Sequence, residues 1–193
     1  MIPSEADIKK RKVNRDKLAK KVTEDGHLKE AELVRIIRKA IDAAWMTAAN
    51  KLVFLEDRVI PDMNPDTRTK WLVQCNHCKK MFKLSDVQID HRQGEFACTK
   101  REDFYPYILS RLDVNFDDLQ VLCIEDHQIK TLAERQGLTF EEAKLEKQVI
   151  AVCKGSTSAV KAFLIERGIT PAGNAEQRKK QVREALQQEE VNE

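Results

Sequence analysis

The segments Cys75-Asn76-His77-Cys78, Val87-Gln88-Ile89-Asp90-His91 and Asp118-Leu119-Gln120-Val121-Leu122-Cys123-Ile124-Glu125-Asp126-His127-Gln128-Ile129-Lys130-Thr131 decide how this chain is read. Two thiols separated by two residues in a tight turn can both reach one ion. Thiolates suit zinc, which takes four tetrahedral ligands. Cys123 and Asp126 lie three apart on the first turn of a predicted helix, Ile124 to Gln136, and so share a face. His77, inside the first loop, and Cys98 are competing candidates for a fourth ligand. His127 is turned by about 100° from Asp126 along the same helix, so the two side chains diverge.

In order and spacing these residues resemble the HNH nucleases in their zinc-stapled, phage-type form. Members of that family read C-x-x-C, then Asp-His, then Asn/Asp-Leu-Gln-x-Leu-Cys-x-x-Cys-His-x-x-Lys-Thr. The likeness covers about a third of the chain. It implies a ββα-metal core stapled by structural zinc on Cys75, Cys78, Cys123 and Asp126, the last standing where the family has cysteine. It also implies a second site, where Asp90 and His127 hold a catalytic divalent ion, Mg²⁺ or Mn²⁺, and His91 takes a proton from the attacking water. Asp118 replaces the family's more usual Asn; as a carboxylate it can accept hydrogen bonds from backbone or from His91. Strand alternation would point Asp90 and His91 to opposite faces, so the pair is expected where a strand ends or bulges.

The chemistry accounts for these residue types. Phosphodiester hydrolysis needs a nucleophile, stabilisation of charge and a place for the leaving 3′ oxygen. A neutral imidazole can serve as general base near neutral pH. Lys130 and Thr131, three and four residues past His127, share its helix face and are candidate phosphate contacts, as is Arg92 beside His91.

Working outward, Trp71, Val73, Met81, Phe82 and Leu84 flank the C-x-x-C in extended runs, which predicts a hairpin with the two cysteines at its tip. Before it, Leu33, Ile36, Ile37, Ala40, Ile41, Ala44, Trp45 and Ala48 recur at helical spacing. They predict one long helix from Leu28 to about Leu55, a core element or a surface for a partner protein. Pro61 and Pro65 end it in a linker. Between Lys9 and Lys21 lie eight Lys/Arg and one acid, Asp16, a basic arm read as flexible or as lying along nucleic acid.

After the core, Thr139 and Glu142 have capping-box spacing and predict a helix to about Cys153, with Cys153 itself as a buried helix residue. Ser158–Arg167 and Ala175–Gln188 then read as two helices. The second carries Arg178, Lys179, Lys180 and Arg183, and the pair looks like the small SAP or HeH DNA-binding modules. The expected organisation is a basic arm at 1–27, a long helix and linker at 28–66, the nuclease core at 67–137, a helix at 138–155 and a helical hairpin at 156–193. Arg178 and Lys179 are its candidate DNA contacts.

Composition fits an α+β, mainly helical chain. Of 193 residues, 34% are charged and 6% aromatic, which favours surface-rich helices. A net charge of +2 says little about partners, so the local basic runs matter more. No apolar run approaches the roughly 18 residues of a membrane span, and no signal-peptide core is present. Five cysteines, two of them in C-x-x-C, favour reduced thiols and metal over disulfides. These features point to a cytoplasmic protein, in the bacterial host if phage-encoded. The expected activity is metal-dependent cleavage of duplex DNA, in homing or genome processing. The rival expectation is a zinc-stabilised DNA-binding or adaptor protein without cleavage. The intact Asp90, His91 and His127 favour the enzyme.

Overall fold

The structure, a computed structural model, describes residues 3–94 and 96–192. In chain order it contains α1 (Glu5–Ala19), α2 (Glu30–Met46), α3 (Ala49–Glu56), β1 (Ile60–Pro61), β2 (Trp71–Gln74), β3 (Met81–Lys83), β4 (Val87–His91), α4 (Phe104–Leu112), β5 (Leu119–Cys123), α5 (Ile124–Gln136), α6 (Phe140–Cys153), α7 (Thr157–Glu166) and α8 (Ala175–Asn192). Short 3-10 turns precede β4, α4 and β5. The class is α+β and mainly helical, with the strands confined to small sheets. No single helix among the described residues is long and apolar enough to cross a membrane.

The chain folds into two compact units: Met1–Val73 with Ile89–Val121, and Gln74–Gln88 with Leu122–Glu193.

In the first unit α2 packs against α4. Val34, Cys98 and Tyr107 form a buried cluster, joined by Ile41 and Phe104. Tyr107 donates its hydroxyl to Asp42, satisfying the one polar atom of a buried ring. β1 pairs antiparallel with β2, Ile60 opposite Leu72 and Pro61 opposite Trp71. β4 and β5 are neighbours in a two-stranded sheet.

Residues 5–19 of the basic arm are helical. Ser4 and Asp7 form a capping box that satisfies amides at the helix start. The long helix expected to run to Leu55 breaks at Thr47 and Ala48, where Ala48 is extended (φ −62°, ψ 128°). Trp45 and Phe54 are both buried, yet nine residues apart on one straight helix they would face opposite ways at about 100° per residue. The break lets both rings reach the interior. Asn50 anchors the new helix by donating to the carbonyls of Leu112 and Val114.

In the second unit α5 ends at Gly137, left-handed at φ 66°, a conformation costly for residues with a Cβ. α6 begins two residues after Leu138, with Thr139 and Glu142 forming the expected capping box. Helices α6, α7 and α8 pack together around Leu145, Val149, Val160, Leu164 and Val182, and Cys153 packs at the edge of that cluster. The basic side of α8 turns partly inward. Glu146 of α6 is buried and accepts from Lys179 at 2.7 Å and from Arg183.

Burial alone would raise the Glu146 pKa, but the two cations outweigh it and hold the carboxyl below its ordinary value of 4.5. A depressed folded-state pKa means that this stabilisation is present above about pH 4.5 and is lost as pH falls through the folded value. Glu146→Gln is therefore expected to cost about 1–3 kcal/mol at neutral pH and to flatten the acid limb of the stability curve. Urea melts from neutrality down to below the folded-state pKa of Glu146 measure both effects.

Candidate metal centre and the residues around Asp90 and His91

Cys75 opens a tight knuckle between β2 and β3. Its amide donates to the Lys80 carbonyl and its carbonyl accepts from the Lys79 amide. Lys79 takes the left-handed conformation (φ 61°) that the turn requires, and Gln74 donates from its side chain to the Lys79 carbonyl. The second pair comes from α5. Cys123 is its N-cap and accepts from the Asp126 amide through sulfur at 3.4 Å. Asp126, three residues on, shares that face.

These elements bring four ligand atoms within 4.8 Å of one another: three sulfurs and a carboxylate oxygen, from Cys75, Cys78, Cys123 and Asp126. At a Zn–S distance of about 2.3 Å, the sulfur–sulfur edge of a tetrahedral zinc site is about 3.8 Å, so the cluster is the right size to hold a metal ion. Its chemistry fits as well. Cys75, Cys123 and Asp126 are buried, and three thiolates with a carboxylate make an anionic set that needs a cation. The Cys75 thiol donates to Asp126 at 3.1 Å, and Cys75 sulfur accepts from the Cys123 amide at 3.3 Å. Burial, with the Asp126 carboxylate and Cys75 beside it, pushes the Cys123 thiol up to about 12. Burial likewise raises Cys78. Burial works against ionisation of Asp126 too, but hydrogen bonds from the three thiols and the nearby His77 keep its carboxyl below the ordinary value. A dication supplies the missing positive charge.

The competing ligands fall elsewhere. His77 stacks on Phe140, ring centres 3.8 Å apart, and its Nδ1 lies 3.7 Å from Asp126 Oδ1, beside the carboxylate rather than within the set of four. Cys98 is in the other unit, buried with Val34 and Tyr107.

Asp90 and His91 are the last two residues of β4. Both lie in the first unit, and His127 lies in the second. His91 is only 5% exposed. Its ring packs on Trp45, centroids 4.6 Å apart, and Nε2 lies 3.1 Å from the Arg111 carbonyl. A carbonyl can only accept, so Nε2 carries a hydrogen; in the neutral form of the ring the lone pair is then on Nδ1. Gln120, the Gln of the Leu-Gln pair, donates to Asp90 Oδ2 at 3.1 Å and so orients that carboxylate.

Arg111 and Lys51 sit over the Trp45 ring, at 5.8 and 5.1 Å from its centre. Arg111 also pairs with Asp42 at 3.4 Å. Trp45, Lys51 and Arg111 lie outside the motif, and no local pattern marks them. Gln120 lies within it.

Asp118 uses its carboxylate to accept from the Asn115 amide, closing a 3-10 turn, and its carbonyl accepts from the Arg92 amide. The Arg92 side chain is exposed. On α5, His127 is half-buried; Thr131 donates its hydroxyl to the His127 carbonyl, and Lys130 pairs with Glu134 at 2.6 Å. In the tail, Arg178 is buried and donates to the carbonyls of Ala172 and Gly173, while Lys179 is engaged with Glu146.

Compared with protein-family models, curated proteins and solved structures, the chain matches none of them.

Proposed function

We propose that this chain is a zinc-stapled endonuclease of the HNH type that hydrolyses DNA phosphodiester bonds. The observation that carries the reading is the convergence of Cys75, Cys78, Cys123 and Asp126 on one small volume, from two segments 45 residues apart in the nuclease-like motif. Zinc is the ion best suited to this donor set. The pairing of β4 with β5, whose strands are separated in sequence by α4, and the start of α5 directly after β5 are compatible with a ββα core carrying an insertion.

In this reading His91 is the general base. Its Nε2–H is held by the Arg111 carbonyl, a tautomer in which Nδ1 is the atom that takes the proton from the attacking water. Water attacks phosphorus, the bond to the 3′ oxygen breaks, and the products carry a 5′ phosphate and a 3′ hydroxyl. Asp90, oriented by Gln120, and His127 are the residues the resemblance assigns to a divalent ion, Mg²⁺ or Mn²⁺. When bound, that ion supplies positive charge to the phosphate and the leaving oxygen. Arg92, Lys130 and Thr131 are the proposed contacts to the DNA backbone near the site.

A plasmid-nicking assay tests the reading. Supercoiled DNA is expected to relax with Mg²⁺ or Mn²⁺ and to persist in chelator. The burial of His91 against Trp45 is also what a purely structural histidine shows. Hence the second reading is a zinc-stabilised DNA-binding or adaptor protein. DNA that stays intact with every metal, while the protein still binds it, establishes that reading instead.

A further inference from the structure

Helix α1 buries none of its side chains. Its apolar residues Ile8, Val13 and Leu18 are exposed and follow one another at intervals of five, so successive ones point about 140° apart. They form no stripe for a partner helix. The cations have a different distribution. At about 100° per residue, Lys9, Lys10 and Lys17 fall on one half of the helix and Arg11, Lys12 and Arg15 on the other.

A helix with one basic face suits a flat anionic surface, and membrane-surface helices add an apolar face opposite. A helix basic on two opposed sides suits a channel with anionic walls on both sides. The major groove of B-DNA is such a channel, about 12 Å wide and flanked by phosphates, and it admits an α-helix. A helix with its side chains is about 10–12 Å across. The major groove of A-form RNA is too deep and narrow for one.

We infer that α1 is a DNA-docking helix that lies in the major groove, with Lys9, Lys10 and Lys17 reaching the phosphates of one wall and Arg11, Lys12 and Arg15 those of the other. The inference rests on the proposed DNA substrate but not on cleavage. Contacts to phosphate fix position and carry no sequence information, so α1 holds the duplex and adds affinity without choosing a sequence.

The test uses the full chain carrying His91→Ala, in which cutting is expected to be slow, with chelator present, and a short fluorescent duplex in a salt titration. Two triple variants are compared with it, Lys9→Gln with Lys10→Gln and Lys17→Gln, and Arg11→Gln with Lys12→Gln and Arg15→Gln. Glutamine keeps helix propensity, and circular dichroism checks that both fold. Each triple is expected to lower the slope of log affinity against log salt by about 2–3, at about 0.9 for each phosphate no longer neutralised. Duplex RNA and vesicles rich in anionic lipid are expected to bind more weakly than duplex DNA. A loss confined to one triple, or equal binding to vesicles, overturns the groove. Unchanged slopes in both triples, with wild type still nicking plasmid, overturn the inference alone. A wild-type chain that neither binds nor nicks DNA overturns the substrate reading with it.

Discussion

Removing the metal is expected to produce the largest loss of stability. Dialysis against a strong chelator should lower the melting temperature by about 10 °C or more. Binding energy at a structural zinc site is folding energy, and about 1 kcal/mol moves the midpoint of a chain this size by about 2–4 °C. Without a cation, Cys75, Cys123 and Asp126 are buried polar groups linked by weak sulfur hydrogen bonds. Cys123→Ser should reproduce most of the effect through loss of the thiolate alone, because serine is itself a good N-cap for α5. Asp126→Ala should lower zinc retention and melting temperature less, since water can fill its position. Asp126→Cys should raise both, thiolate being the softer and better ligand for zinc. Metal analysis after dialysis, alongside thermal melts, gives the order. If Asp126→Ala keeps its zinc as firmly as wild type, the fourth ligand lies elsewhere, and His77, whose Nδ1 lies 3.7 Å from the carboxylate, is the first candidate.

The largest effect on activity is expected at His91. His91→Ala should slow plasmid nicking by about 10²–10⁴-fold, the usual range for general-base help, while DNA affinity and zinc content stay close to wild type. His127→Ala should abolish cleavage as well, but here extra Mn²⁺ should restore part of the rate, because the residue is assigned to the ion and not to the proton. Time courses across a metal titration separate the two roles. Nicking by His91→Ala at the wild-type rate removes His91 from the chemistry.

What the sequence determined by itself is local. The Thr139–Glu142 capping box, the stop at Gly137 and the start of α5 depend on residues within a few positions of one another. So does the pairing of ligands as Cys75 with Cys78 and Cys123 with Asp126, because a tight turn and a helical turn each bring two side chains together whatever the rest of the chain does.

Tertiary structure decided which distant partner meets each local element. Excluding His77 from the set of four depended on its stacking against Phe140. The break between α2 and α3 came from burying both Trp45 and Phe54, a demand made by the core and invisible in helical periodicity. A run of cations looks the same in sequence whether it faces solvent or a carboxylate. Only the packing of α6 against α8 commits Lys179 and Arg183 to Glu146, and only the fold of the preceding loop turns Arg178 onto two carbonyls. The neighbours of His91 came the same way, since Trp45 and Arg111 reach it from two helices. Long-range contacts depend on how whole faces pack, and no short pattern in the chain encodes that.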